Sequence, residues 1–191
     1  MDVHLNQFSI ERGKNMLILK LKLTGSILVL FSTSLMGYIY GKSYKERLEN
    51  LIYLENCIKL LETEIIYGAN PLPEAFMNVY NKGNKKVSYI FRLIIEKLNK
   101  DRECTIFDSF LSVGDTMKNE LNFKNEDIEM FMTLGRSIGS SDRTDQEKNF
   151  KLILTQIKTL EDEARIEKDK NEKMFKNLGF LAGLAIVVIL I

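Results

Sequence analysis

The side chains that could carry out chemistry are few in this sequence and are poorly grouped. The chain has one histidine, His4, and two cysteines, Cys57 and Cys104, and none of the three has a second Cys or His beside it. Zinc sites and disulfide frameworks use such ligands at short, regular spacings, and acid–base catalysis at neutral pH most often uses histidine. The sequence therefore predicts no metal site, no disulfide framework and no histidine-dependent catalysis.

Paired carboxylates are the remaining candidates for catalysis. Glu62 and Glu64 are two residues apart and would point to different sides of a helix. Asp142 and Asp145 lie where a helix is expected to begin and would serve its free backbone N–H groups. The chain also lacks the Gly-x-x-x-x-Gly-Lys-Ser/Thr motif of nucleotide-binding loops. We therefore expect a binding or scaffold protein with no enzymatic activity and no cofactor.

The charged residues are evenly balanced but unevenly distributed. The chain has 27 Lys and Arg against 26 Asp and Glu, a balance that does not favour nucleic acid as a partner. Residues 23–41 and 177–191 contain no charge, whereas residues 42–176 are strongly charged. As helices, the two uncharged runs would span ~28 Å and ~22 Å, compared with a hydrocarbon core of ~30 Å. The sequence predicts a polar tail over 1–22, transmembrane helices at 23–41 and 177–191, and a soluble domain over 42–176.

Both apolar runs have an alternative interpretation. The first resembles the apolar part of a cleaved signal peptide, although residues 38–40 are bulky where a signal peptidase needs small side chains. The second is short enough to be a buried core helix, although it is apolar on every face. Residues 1–15 are either a flexible tail or lie upstream of the start codon that the cell uses.

Basic residues near the ends of the apolar runs predict the orientation of the central domain. Lysine and arginine follow the first run and precede the second, which by the positive-inside rule places the central domain in the cytoplasm. Basic residues before the first run oppose this assignment and reduce the margin. Within the second run, Gly179 and Gly183 form a G-x-x-x-G pair that permits close contact with another membrane helix.

Apolar residues in the central domain recur at helical spacing, and no segment alternates in the manner of a strand. The predicted fold is all-α, an antiparallel bundle of about six helices anchored in a membrane, with a long last helix that begins near Asp142. We expect Asn70 and Thr105 to cap helices, and Ser141 or Asp142 to cap the last one. The charged run Glu161–Lys176 indicates either a solvated helical stalk or a partner surface.

Four segments, taken together and in this order, resemble a known family. They are LETEIIYG at 61–68, PLPEAF at 71–76, LGRSIGSSDRTDQ at 134–146 and NLGFLAGL at 177–184. The pattern is similar to that of stage III sporulation protein AB of endospore-forming bacteria. The resemblance covers residues 16–191.

The resemblance implies a subunit of the assembly that joins mother cell and forespore, located in the mother-cell membrane that faces the forespore. The family is also similar to the cytoplasmic domain of the F-type platform proteins of type II secretion, where a helical bundle meets an assembly ATPase. This chain would then position the stage III sporulation ATPase, protein AA, and contact other subunits of the complex. It has one bundle where most platforms have two, which favours pairing of two chains.

The two connections of the bundle that carry the matching segments are the predicted partner-binding regions. The alternative to partner binding is that these residues only cap helices and form local salt bridges. Two other functions remain open: a pore subunit assembled through Gly179 and Gly183, and a membrane-bound sensor with a pocket inside the bundle. The predicted partner-binding residues are Glu62, Glu64, Glu74, Arg136, Asp142, Arg143 and Asp145.

Overall fold

The computed structural model describes residues 2–101, 103–138 and 143–190. These residues form seven α-helices, one π-helical turn and no strand, which confirms the predicted all-α class. Residues 2–22, predicted to be a tail, have helical backbone. The elements are α1 (Asp2–Glu62), the π-helical turn (Thr63–Tyr67), α2 (Leu72–Lys82), α3 (Lys85–Lys100), α4 (Ile106–Leu111), α5 (Gly114–Glu120), α6 (Asn125–Ser137) and α7 (Arg143–Leu190).

The chain divides into two compact units. Unit 1 consists of Met1–Lys42 and Lys170–Ile191, and unit 2 consists of Ser43–Asp169. Both long helices, α1 and α7, contribute to both units. The chain therefore enters unit 2 from unit 1 and returns to unit 1 at its other end.

Unit 1 contains the helix segment with membrane character. Among the described residues, one helical segment contains a stretch long and apolar enough to cross a membrane by length and composition. This segment, Lys20–Tyr67, consists of the later part of α1 and the π-helical turn. Large apolar side chains on this stretch are exposed, as at Leu23 and Phe31, which are 61% and 68% exposed. Leu178 and Leu181 on the last part of α7 are also exposed. A second membrane crossing at 177–191 stays a prediction.

Two glycines bring the helices of unit 1 into close contact. A Cβ atom added to Gly37 would lie 2.5 Å from the carbonyl oxygen of Phe175 and 2.8 Å from the Cα of Gly179. A Cβ on Gly183 would collide with the hydroxyl of Thr33. That hydroxyl donates a 2.9 Å hydrogen bond to the carbonyl of Val29, so its polar group is satisfied within its own helix. The G-x-x-x-G pair thus packs against α1 of the same chain.

An aromatic cluster forms the centre of unit 2. Phe76, Phe91, Phe110 and Phe131 come from α2, α3, α4 and α6, and all four are fully buried. Their neighbouring ring centroids are 4.8 to 6.2 Å apart, within the range of favourable aromatic pairs. Gly135 lets α6 approach α4, because a Cβ there would lie 2.5 Å from the ring of Phe110. Four helices therefore depend on one group of side chains.

The predicted helix caps have mixed outcomes. Thr105 caps α4 as predicted, because its hydroxyl accepts a hydrogen bond from the Asp108 N–H. The prediction for Asn70 is wrong: Pro71 occupies the N-cap of α2, and the Asn70 amide donates to Glu64 instead. Ser141 and Asp142 lie outside the described residues. The spacing of apolar residues did not predict α5, which buries only Met117.

A buried ionic network joins α1, α6 and α7. The Arg47 guanidinium donates two 2.8 Å hydrogen bonds to the carboxylate of Asp127 and one, also 2.8 Å, to Glu167. Asp127 is fully buried and also accepts from the backbone N–H of Lys124. Burial opposes the charged form of Arg47, but Asp127 and Glu167 more than offset this effect, and the pKa of Arg47 is raised. The network fixes where α1 meets the other two helices.

The first part of the charged run on α7 belongs to the packed bundle. Glu161 and Ala164 are buried, and Glu167 binds Arg47 and Lys124. The solvated-stalk interpretation is therefore wrong for residues 161–167, because this segment packs against α1 and α6.

Removing one partner of the buried network should destabilise the fold strongly. Asp127→Ala leaves the Arg47 charge buried without its main partner, and we expect a loss of about 3–5 kcal/mol in the free energy of unfolding. Urea unfolding of the full chain in detergent micelles, followed by circular dichroism, measures this loss. The control is Asp162→Ala, which removes an exposed carboxylate from α7. A loss of similar size in both variants would contradict the role given to the network.

Enlarging the glycine contact in unit 1 should force its helices apart. In Gly37→Leu the new side chain meets backbone atoms, which cannot move aside as a flexible side chain could, and we expect a loss of about 1–3 kcal/mol. Thermal unfolding in detergent micelles measures the change. Gly25→Leu is the matched control, because no atom lies within 4 Å of a Cβ at Gly25. Equal stability of the two variants would show that the contact is not tight.

Candidate functional site

The predicted partner-binding residues divide into groups with different surroundings. Glu74 is exposed in the first turn of α2, and Glu62 is half-buried at the end of α1. Asp142 lies outside the described residues. Arg143 is the first residue of α7, and its side chain is outside the described part of the structure. The remaining three, Glu64, Arg136 and Asp145, can be described in detail.

Glu64 is used inside the fold. Its Oε2 atom accepts hydrogen bonds from the amides of Asn70 at 2.6 Å and Asn78 at 2.7 Å, and its Oε1 atom binds Lys82 Nζ at 2.6 Å. The hydrogen bonds from Lys82 and Asn78 hold the pKa of this carboxyl below its ordinary value. Glu64 therefore ties the π-helical turn to both ends of the connection and to α2. This geometry favours a supporting role over direct contact with a partner.

The end of α1 lies close to the first turns of α7. Burial raises the pKa of Glu62, and repulsion from Glu147 raises it further, while the charge of Lys151 acts in the opposite direction. Tyr67 is also near Lys151 and is 70% exposed. We define the tip surface as Glu62, Tyr67, Asp145 and Glu147. It carries three carboxylates: Glu62 and Glu147 are near enough to repel each other, and Glu147 also binds Lys151 at 3.1 Å.

Two predicted residues, Arg136 and Asp145, lie in the helix turns on either side of residues 139–142, which are outside the described residues. Arg136, in the last turn of α6, places its guanidinium 4.8 Å from the ring centroid of Phe107. Asp145, in the first turn of α7, is exposed and binds Lys148 at 3.3 Å. The structure thus brings Glu62 and Asp145 to one end of unit 2, with Arg136 beside the connection.

Cysteine and carboxylate groups form no metal site among the described residues, where no three of His, Cys, Asp and Glu come together. Cys57 is fully buried, and burial raises the pKa of its thiol to about 12. A thiol in this state is unreactive and packs as a small apolar group.

No local sequence pattern marks the residues that do most to organise unit 2. Arg47 is 80 positions from Asp127 and 120 from Glu167, so no local spacing relates them. Tyr67 is an exposed aromatic that follows a regular apolar stripe, and the sequence does not separate it from the core residues of that stripe. In both cases only the tertiary contacts supply the missing information.

These features define a class of protein: an all-α bundle with an apolar core, joined at both ends to a unit with membrane character, whose exposed connections carry charge. The stage III sporulation protein AB family model matches residues 22–191. The chain belongs to this family, and it is therefore a sporulation protein associated with a membrane.

Two individual relatives agree with the family assignment. Stage III sporulation protein AB of Bacillus subtilis (strain 168) is 35% identical over 173 residues, which cover 89% of this chain and 99% of the relative. A solved structure of stage III sporulation protein AB is similar with a TM-score of 0.59 and 26% identity, covering 65% of this chain and 98% of that one. The names of these relatives are those of a sporulation protein, not of an enzyme.

The lowered pKa of Glu64 predicts a pH-dependent contribution to stability. A carboxyl whose pKa is lowered by folding stabilises the folded state above its unfolded pKa, and this contribution is lost as the pH falls through the folded value. Glu64→Gln should therefore lower the melting temperature at neutral pH, and the difference from wild type should shrink as the pH falls below the ordinary range of a carboxyl group. Circular dichroism melts over this range measure it.

The control for this prediction is Glu74→Gln, which changes an exposed carboxylate in the neighbouring turn. It should leave the melting temperature unchanged at both ends of the pH range. A deficit of Glu64→Gln that persists undiminished at the lowest pH would mean that the charge of Glu64 is not what stabilises the connection.

Proposed function

We propose that this chain is a non-enzymatic membrane scaffold that docks and positions the assembly ATPase of the stage III sporulation complex. Unit 2 would lie in the mother-cell cytoplasm, held on the membrane that faces the forespore. The tip surface of unit 2 would contact the ATPase, the stage III sporulation protein AA implied by the family resemblance. This chain would not hydrolyse ATP itself.

The observation that carries the proposal is the double attachment of unit 2. Both ends of this bundle continue into unit 1, which contains the helix with membrane character. A domain held at two points resists pulling and turning better than one held by a single linker. Such resistance is what a stationary platform for an ATP-driven motor requires, whereas a diffusible regulator does not need it.

The electrostatics of the tip surface support a basic partner. Glu62 lies near Glu147, and their mutual repulsion raises the pKa of Glu62 beyond the effect of burial. An arginine or lysine from a partner would relieve this repulsion and favour the charged form of both carboxylates. A basic surface on the ATPase would therefore bind here, and both carboxylates would attract it electrostatically.

The pore alternative receives less support. It needs Gly179 and Gly183 to contact other chains, but both glycines pack against residues 30–37 of the same chain. A face that is already occupied within the chain is not free to assemble a channel. We therefore retain the docking platform as the proposed function.

Reversal of charge at the tip surface tests the proposal. Glu62→Lys combined with Glu147→Lys should reduce co-purification of the stage III ATPase with the full-length chain by roughly tenfold or more, because two attractive contacts become repulsive. The same variant should lower sporulation while its amount in the membrane stays normal. Pull-down from sporulating cells, with immunoblots of the membrane fraction, measures both effects.

The matched control is Glu103→Lys combined with Asp115→Lys, which reverses two exposed carboxylates away from the tip surface. It should retain ATPase binding and sporulation. If the tip variant also retains full ATPase binding, or if the control loses it equally, the tip surface is not the docking site.

A further inference from the structure

A groove runs along the side of unit 2 between α6 and α7. It has a volume of about 380 Å³ and is lined by residues of these two helices only. Met130 is buried and Leu160 is half-buried, and together they form the apolar floor. The other lining residues are Glu126, Glu129, Thr133, Gln156 and Thr159. No Lys or Arg lines the groove.

The register of the two helices places a third carboxylate at its rim. Lys124 contacts Glu167 near one end of the groove, and its lining includes Thr133, further along α6, and Gln156, further back along α7, so α6 and α7 run antiparallel. Glu163 therefore falls opposite Glu126, one turn beyond Leu160. Among the described residues, neither Glu129 nor Glu163 has an ion-pair partner. Three carboxylates thus border an apolar floor.

Exposed aliphatic side chains extend this surface along α7. Leu152 and Ile166 are 55% and 69% exposed, unusual values for large aliphatic residues on a packed bundle. They lie at the two ends of a row on α7 with 4-3-4-3 spacing: Leu152, Gln156, Thr159, Glu163 and Ile166. This spacing is that of the contact row between two packed helices. The row has no partner helix among the described residues of unit 2.

We propose that this groove binds a basic amphipathic helix of another protein. Apolar residues of the incoming helix would cover Met130, Leu160 and the exposed aliphatic residues of α7, while its lysines or arginines would pair with Glu126, Glu129 and Glu163. Binding of an amphipathic helix in a groove between two helices is a common recognition mode. The site lies on the side of unit 2 and is separate from the tip surface, so it does not depend on the proposed ATPase contact.

The three carboxylates at the rim of the groove favour one kind of incoming helix over the others. An acidic or neutral helix would bring no positive charge to the three carboxylates, whereas a basic helix would supply one to each of them. A second copy of this chain would have to bring a basic row of its own to the groove. The row on α7 carries no Lys or Arg, so two copies cannot pair through this row with matched charges.

Reciprocal charge exchange tests the inference. The probe is a fluorescent synthetic helix of about 18 residues, five turns, with leucines at 3-4 spacing flanked by lysines. A second probe replaces every lysine by glutamate. Fluorescence anisotropy measures binding to the full chain in nanodiscs of zwitterionic lipid. Wild type should bind the lysine probe, and Glu129→Lys combined with Glu163→Lys should bind it at least about tenfold more weakly and bind the glutamate probe instead.

Two controls locate the binding. Glu96→Lys combined with Glu103→Lys reverses exposed carboxylates elsewhere and should leave binding unchanged. A benzophenone attached at Thr133→Cys, in a Cys104→Ser background, should crosslink to the lysine probe, whereas one attached at Asp115→Cys should not. Circular dichroism melts of each variant verify that it is folded.

Three outcomes would overturn the inference. The first is equal binding of the lysine probe to wild type and to the Glu129→Lys, Glu163→Lys variant. The second is failure of the charge-reversed groove to bind the glutamate probe. The third is a wild-type dimer, seen by sedimentation, that dissociates in the charge-reversed variant, because the occupant would then be a second copy of the chain.

Discussion

The buried contact of Arg47 with Asp127 and Glu167 is the interaction on which the geometry of unit 2 depends. It joins the first helix of the unit to the last, across 120 positions of sequence. A buried charge tolerates little displacement, because a lost hydrogen bond leaves it both desolvated and unpaired. Apolar burial is not directional, so it specifies the register of α1 against α7 less strictly than these hydrogen bonds do. The network therefore fixes the register that places the end of α1 beside the start of α7 and so creates the tip surface.

The periodicity of apolar residues predicted most of the helices, for a physical reason. Each helix of unit 2 buries one stripe, and residues such as Leu51, Leu54, Ile58 and Leu61 mark that stripe at 3-4 spacing. Helix ends were less predictable, because several residues can satisfy the same backbone groups. Asn70 has the right type for an N-cap, but its side-chain NH2 group donates a charge-assisted hydrogen bond to Glu64, and Pro71 occupies the N-cap position. Short α5 buries too little to leave a pattern.

The two connections that carry the predicted partner-binding residues could be located from the sequence, but the surroundings of each residue could not. Glu64 and Glu74 lie in the same connection, yet one is enclosed by three donors and the other is exposed. Asp127 and Asp145 both occupy the first turn of a helix, yet only Asp127 meets an arginine from a distant segment. Residue type and local spacing are the same within each pair. What separates them is tertiary contact, which a single sequence does not contain.

The same network also explains why the side groove is acidic. Arg47 and Lys124 carry two positive charges, and Asp127 and Glu167 neutralise them within the bundle. No basic group remains beside Glu129 and Glu163 to balance their charges. If Lys124 instead reached into the groove, Glu167 would lose one of its two cationic partners, and Arg47 alone would offset the burial that opposes the charged form of Glu167. The charges at one end of the α6–α7 pair therefore balance, whereas the side of the pair keeps a net negative charge. A cation from another molecule would bind most favourably at this side.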